Sequence, residues 1–232
     1  MGAPVTYELD EGLATITMDD GKVNVLSPEM LGSLNTALDR AAADSAVVVL
    51  TGRPGVFSAG FDLGVLTGGG LGAADMLRAG FELAERLLSF PTPVVIACPG
   101  HAIAMGVFVL LSGDYRIGIT GNHKIVANEV AIGLTMPETA IEICRQRLAP
   151  SYFNRAVINA ETFSSENAVA AGFLDLVVPS AQLMAAARGV AAALAMLNMR
   201  AHAATKLRTR AQALTAIRAA IEVDDAALRA SL

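Results

Sequence analysis

Removing a proton beside a carbonyl needs three things: donors for the oxygen as it gains negative charge, a base for the carbon-bound proton, and a dry pocket around both. The carboxylate that stands out as a base is Glu129, set in Ile125-Val126-Ala127-Asn128-Glu129-Val130-Ala131-Ile132-Gly133. Nearly every neighbour is apolar, and a desolvated carboxylate has a raised pKa and can carry a proton near neutrality. An exposed glutamate on a loop is the alternative, and the residues alone leave both open. Donors are offered by two turns, Gly60-Phe61 and Met105-Gly106. Each follows an apolar strand and precedes a helix, where backbone N–H groups lack helical partners and can face developing charge. Many strand-to-helix turns share this composition, so the pattern does not by itself single these two out.

Other chemistry fits less well. His101 sits beside Gly100 without an obvious partner and reads as a core or turn histidine. Ser58 and Ser112 lack the Gly-x-Ser-x-Gly context of a nucleophile elbow. Gly68-Gly69-Gly70-Leu71-Gly72 is followed by neither Lys-Ser/Thr nor dinucleotide-binding spacing, so it reads as a flexible loop and an expected mobile lid. Cys98 and Cys144 have no metal-ligand spacing and read as buried, inert thiols with no disulfide.

The elements that must position these groups alternate along the chain. Strands are expected over Val5–Leu9 and Leu13–Met18, joined by Asp10-Glu11-Gly12 as a hairpin. Ser27-Pro28-Glu29 combines an N-cap, a proline at the first helical position and an acid in the first turn, predicting a helix to about Ala43. Val47–Thr51 is a continuous apolar run of the kind buried on both faces of a sheet. A helix is expected over Asp75–Leu88, then strand Val94–Cys98, helix Ala104–Leu111, strand Tyr115–Ile119 and short strand Lys124–Val126. This spacing indicates βαβ units in one sheet system. From Glu138 the chain reads mainly helical, apart from a strand over Leu174–Val178, with closing helices near Met184–Leu197 and Ala201–Leu228. A boundary near residue 175 divides a core, 1–175, from a helical C-terminal region, 176–232.

Composition narrows the class. The 232 residues are 53% hydrophobic and 17% charged, with a net charge of −5 and no basic cluster, which argues against nucleic acid as a partner. Mean hydropathy is high, at +0.51. The most apolar stretch, Val94–Leu111, is broken by Pro99-Gly100-His101, so a strand, a turn and a helix are expected rather than a membrane span. The start, Met-Gly-Ala-Pro-Val, has neither a basic region nor an apolar run, and a cytoplasmic protein is expected. The excess of apolar residues predicts helices buried against other subunits.

Taken together, the residues resemble the crotonase (enoyl-CoA hydratase/isomerase) superfamily over nearly the whole chain. The segments that carry the resemblance are Val23-Asn24-Val25-Leu26-Ser27, Arg53 to Leu63 with its Phe57-Ser58-Ala59-Gly60-Phe61-Asp62 centre, Cys98 to Asp114 with Tyr115-Arg116-Ile117 after it, Asn128-Glu129 through Gly133, and Ala171 to Val178. The resemblance implies an α/β spiral of ββα units with a helical C-terminal trimerisation region, assembling as a trimer or a dimer of trimers. It implies an oxyanion hole made by the N–H groups of Phe61 and Met105, with Glu129 as acid/base. An acyl-CoA thioester would be the substrate and no separate cofactor or metal would be needed. It would enter near Lys22, Val23 and Val25 and run past Ala59, Gly60, Asp62 and Leu63, with Gly106 and Phe108 beside the thioester. Its phosphates would lie against the first loop and a basic side chain such as Lys206 or Arg208.

One departure bears on mechanism. Hydratases of this superfamily use two glutamates, and the first falls on Phe108 while the second falls on Glu129. Phenylalanine cannot activate water, and one general acid/base group is worth about 10²–10⁴-fold in rate. The sequence therefore fits a Δ3-to-Δ2 enoyl-CoA isomerase, which needs one carboxylate to move a proton from C2 to C4. The alternatives are a hydratase with a substitute carboxylate, Glu138 or Glu142, and a non-catalytic acyl-CoA binding protein.

Overall fold

The computed structural model describes residues 3–231; Met1 and Gly2, the first two residues of the stretch read for a leader, and Leu232 lie outside it. The first pair of strands, β1 (Val5–Asp10) and β2 (Leu13–Met18), forms the expected antiparallel hairpin across Glu11-Gly12. A short strand β3 (Val25–Leu26) leads into α1 (Pro28–Ala43). Ser27 caps α1 as its type predicts, accepting a hydrogen bond from the Met30 N–H at 3.2 Å.

From there the chain winds in repeating turns. Each turn lays one strand in a six-stranded sheet and one or two in the smaller sheets, and then forms helix. The first turn gives β4 (Val47–Thr51), β5 (Gly55–Ser58), β6 (Gly60–Phe61), α2 (Leu63–Gly68) and α3 (Gly70–Ser89). The second gives β7 (Val94–Cys98), β8 (Gly100–Ile103) and α4 (Met105–Leu111). The third gives β9 (Tyr115–Ile119), β10 (Ile125–Val126), α5 (Glu138–Arg145), α6 (Pro150–Val157) and α7 (Ser165–Ala171). Strand β11 (Leu176–Val178) and helices α8 (Leu183–Ala195), α9 (Met199–Thr209) and α10 (Ala211–Ala230) complete the described chain.

The large sheet has the order β1-β2-β4-β7-β9-β11, parallel after its first pair; β10-β8-β5 and β3-β6 form two smaller parallel sheets. The single sheet system expected from the strand and helix spacing is thus three sheets, because the chain breaks after each long strand and starts a second one. The outcome is the expected spiral of ββα units.

The apolar runs explain themselves in this arrangement. Along β4, Val48 and Leu50 join the main core with Ile16, Ile96 and Leu110, while Val47 and Val49 face a second core with Val95, Ile117 and α8 residues Leu183, Ala187 and Ala191. Alternation across a sheet covered on both sides requires an unbroken apolar strand. Helix α10 lies on α3 and α5, and its Asp224 accepts hydrogen bonds from Glu138 N–H at 3.0 Å and Thr139 N–H at 2.9 Å, capping α5 from a distance. No single helix among the described residues is long and apolar enough to cross a membrane; 180–195 with 199–209 meets the length and composition only as a pair bent by 102°.

Two expectations are corrected here. Thr67 to Gly72 is not a loop: α2 runs to Gly68 and α3 begins at Gly70, hinged at Gly69 with φ of 63°. Asp62 makes this possible by capping α2, its carboxylate accepting from Gly64 N–H at 2.8 Å and Val65 N–H at 3.3 Å. Lys206 is buried in α9 and pairs with Asp114 at 2.6 Å, so its ammonium is committed to the protein and does not face solvent phosphates. Arg208 stays exposed on the same helix.

Candidate active site

The two candidate donor turns meet because β5 and β8 are neighbours in one small sheet. Gly60 holds φ of +92°, and a β-carbon on it would stand 3.3 Å from Met105 N and 3.1 Å from the Ile103 carbonyl oxygen. Main chain thus approaches main chain at this point, which glycine alone permits. Met105 opens α4, ahead of the intrahelical ladder, and Ala104 before it supplies no side-chain cap. Ala104 itself is held at φ of +50°, an uncommon conformation for a residue with a β-carbon. Gly106 backs onto Ser58, where a β-carbon would lie 2.5 Å from the Ser58 carbonyl oxygen.

Beside these turns is a cavity of about 510 Å³. Phe61 and Ala104 line it from the two turns, with Ala59, Leu63 and Phe108. The helix hinge lines it at Gly69 and Gly70, α3 at Leu77 and Phe81, and α10 at Leu228. The Phe81 ring packs against Phe61 at 6.1 Å and Phe108 at 6.3 Å, closing this wall with aromatic surface. Glu129 and Asn128 complete the lining after β10.

Glu129 is the only titratable side chain on the cavity wall among the described residues. It begins a single 3-10 turn over Val130–Ile132, and its carbonyl accepts from Leu134 N–H at 2.9 Å, which fixes the backbone. The residue is only 8% exposed, and Oε2 has no hydrogen-bond partner among the described residues. Burial disfavours the charged form and pushes the pKa up to about 7, only partly offset by the residue's own backbone N–H. The neighbouring Cys144 thiol is raised by its own burial and by the Glu129 charge. A carboxyl poised near neutrality on a largely apolar wall is suited to take a proton and return it.

The other sequence-derived residues fall into two groups. Met105, Gly60 and Gly106 stand behind the wall, supplying backbone. Lys22 and Val23 on the loop before β3, and Val25 in β3, lie outside the cavity lining but are tied to it: Ala59 N–H donates to Val23 O at 3.0 Å, and β3 pairs with β6 through Val25 and Gly60. Arg53 donates to Lys22 O at 2.7 Å. Asp62 turns its carboxylate to the α2 cap. Glu138 lines a separate groove under α10, and Glu142 pairs with Arg145 at 3.1 Å; neither lines this cavity.

Sequence reasoning missed Asn128, Phe81 and Leu228 as wall residues. Asn128 Oδ1 is buried without a partner, like its neighbour, and the adjacent Glu129 was the only signal for it. Among the described residues no cluster of three or more His, Cys, Asp or Glu could hold a metal ion.

The enoyl-CoA hydratase/isomerase family profile matches residues 8–230. The chain belongs to the enoyl-CoA hydratase/isomerase family. Members of similar structure divide between its two named activities. A Mycobacterium tuberculosis protein, described as an enoyl-CoA isomerase with one structure and as a probable enoyl-CoA hydratase, EchA3, with another, is 52% identical, and the first structure gives a TM-score of 0.94 over 97% of this chain and 99% of that one. An enoyl-CoA hydratase, EchA3, from Mycobacterium ulcerans is also 52% identical, with a TM-score of 0.93 over 96% and 98%. A "Probable enoyl-CoA hydratase" from Rhodobacter capsulatus is 38% identical over 115 residues, so the match spans about half of this family member and 45% of that protein.

Proposed function

We propose that this family member is a Δ3-to-Δ2 enoyl-CoA isomerase acting on an acyl-CoA thioester. The observation that carries the reading is the cavity wall: Glu129 is its only titratable side chain among the described residues, and Phe108, on which the family resemblance puts the hydratases' other glutamate, lines the same wall without an ionisable group. The Glu129 carboxylate removes a proton from C2 of a 3-enoyl thioester, and the electron pair moves into the carbonyl to give an enolate. The Phe61 and Met105 N–H groups hold the enolate oxygen. Collapse of the enolate shifts the double bond from C3–C4 to C2–C3 as the protonated Glu129 gives its proton to C4. No water is consumed, and the apolar wall of Phe61, Phe81 and Phe108 keeps water from the intermediate.

The test is turnover of 3-enoyl-CoA, and separately of 2-enoyl-CoA, followed by the absorbance of the conjugated thioester. The expected result is gain of absorbance from the first substrate and none lost from the second. Loss from the second at enzyme-like rates overturns the isomerase reading in favour of a hydratase; silence in both with tight thioester binding leaves a binding protein.

The assembly we propose is a trimer or dimer of trimers using the α8–α9 end. Met196 is 86% exposed there, with Leu197 and Leu207 nearby in sequence and also exposed, more apolar surface than one segment ordinarily gives to solvent. Sedimentation velocity checks this, and a monomer at micromolar concentration would overturn it.

A further inference from the structure

We infer that Ser58 is a positioning residue that locks both oxyanion turns and the substrate-side loop into one unit, an inference that rests on the oxyanion reading above. Ser58 is fully buried at the end of β5 and lies outside the cavity wall. Its hydroxyl accepts from Gly60 N–H at 3.1 Å and donates to the Asn24 carbonyl at 2.7 Å. An N–H can only donate, so the Gly60 bond fixes the hydroxyl proton on the Asn24 side. Its backbone meets the second turn: the Gly106 α-carbon packs so closely that a β-carbon would stand 2.5 Å from Ser58 O and 2.9 Å from Ser58 Cβ. One residue therefore touches the peptide just before the Phe61 donor, the residue just after the Met105 donor, and the loop that carries Lys22 and Val23.

The partner on the loop side is itself immobilised. Asn24 is fully buried at φ of +52°, and its carboxamide donates to Met18 O at 2.9 Å and Phe57 O at 3.2 Å. Asp20 gathers the rest of the loop, accepting from Lys22 N–H at 2.7 Å, Asn24 N–H at 2.9 Å and Val25 N–H at 3.0 Å. The Ser58 hydroxyl is thus a two-sided clip between a rigid loop and a glycine at positive φ. Without it the Gly60 N–H loses its acceptor, and the Gly60-Phe61 backbone keeps its short pairing with β3 while losing the one side-chain bond that fixes the Gly60 peptide. A donor displaced by a fraction of an ångström still admits substrate but polarises the carbonyl less.

Bound cinnamoyl-CoA provides the test, because its absorbance moves to longer wavelength when donors polarise its carbonyl, whether or not turnover occurs. Wild-type protein, Ser58→Ala and Ser58→Cys are compared for spectral shift, thioester affinity by calorimetry, and turnover of 3-enoyl-CoA. Ser58→Ala is expected to keep its affinity within about threefold, lose more than half of the spectral shift, and fall roughly 10- to 100-fold in kcat. Ser58→Cys, of similar shape but with a weak hydrogen-bonding group, is expected to lie between the two, and carries the test alone if Ser58→Ala does not fold. Full spectral shift and unchanged kcat in the folded variants overturn the role of Ser58. If wild-type protein binds cinnamoyl-CoA without any shift, the oxyanion reading itself falls and takes this inference with it.

Discussion

A β-carbon on Gly60 would stand 2.9 Å from the β-carbon of Ala104, so the two donor turns are in contact across the small sheet. Gly60→Ala must push them apart and also place an alanine at φ of +92°. The expected outcome is a fall in kcat of about 10²-fold or more, with a stability loss of roughly 1–3 kcal/mol. Steady-state kinetics with a denaturation curve checks it; wild-type kcat would show that the turns tolerate separation.

In the proposed mechanism the Glu129 carboxyl sets the pH dependence of the rate. A base with a pKa raised to about 7 must be deprotonated to act, so kcat/KM is expected to rise through that region and level off above it. Glu129→Gln should abolish isomerisation while leaving thioester binding intact. Unchanged turnover in that variant removes Glu129 from the mechanism.

The same burial makes Glu129 a cost to the fold. Its pKa rises from 4.5 unfolded to about 7 folded, so the native state binds the proton more tightly. The native state is favoured fully below the lower value, loses stability as pH rises between the two, and is constant above, by roughly 3 kcal/mol in all. Glu129→Gln is therefore expected to unfold at a higher temperature than wild type at pH 8, a gain that shrinks toward pH 5. Parallel Tm profiles for the two proteins would contradict this.

Phe108 carries no proton, and its role is to fill the wall against Phe81. Phe108→Ala is expected to cost roughly 3–5 kcal/mol in a denaturant titration, and to bring no hydration of 2-enoyl-CoA. Appearance of hydration at a rate matching isomerisation would mean that Glu129 alone can activate water.

Lys206 pairs with Asp114 under α9, and Asp114 also meets Arg210 at 2.9 Å and the Val94 N–H at 2.8 Å. Lys206→Met removes one of the two cations on Asp114 while Arg210 and the Val94 N–H remain, for an expected loss of roughly 1–3 kcal/mol with thioester affinity unchanged. A large loss of affinity without loss of stability would restore Lys206 to the phosphate site.

The long strands were legible because sheets covered on both faces need unbroken runs such as Val47–Thr51, and α1 because Ser27-Pro28-Glu29 is a complete start signal. The glycines at 68–72 misled because composition reports backbone freedom, whereas the Asp62 cap and the wall contacts around Gly69 and Gly70 decide what the chain does. The burial of Glu129 was not decided by its apolar neighbours, since Val130, Ile132 and Leu134 after it are exposed while Glu129 itself is turned to the cavity wall. Leu228 was not legible either, since only the packing of α10 on α3 and α5 brings it to the wall. Lys206 read as a surface cation because nothing near it in sequence announces Asp114.

In the proposed mechanism Phe61 and Met105 contribute only amides, so replacing their side chains leaves the peptide N–H groups themselves in place. The cradle for the enolate is thereby insulated from most point substitutions, while the groups that choose the proton's destination, at positions such as 108 and 129, can be exchanged one at a time. A scaffold arranged in this way can drift between neighbouring reactions without first losing the step they have in common.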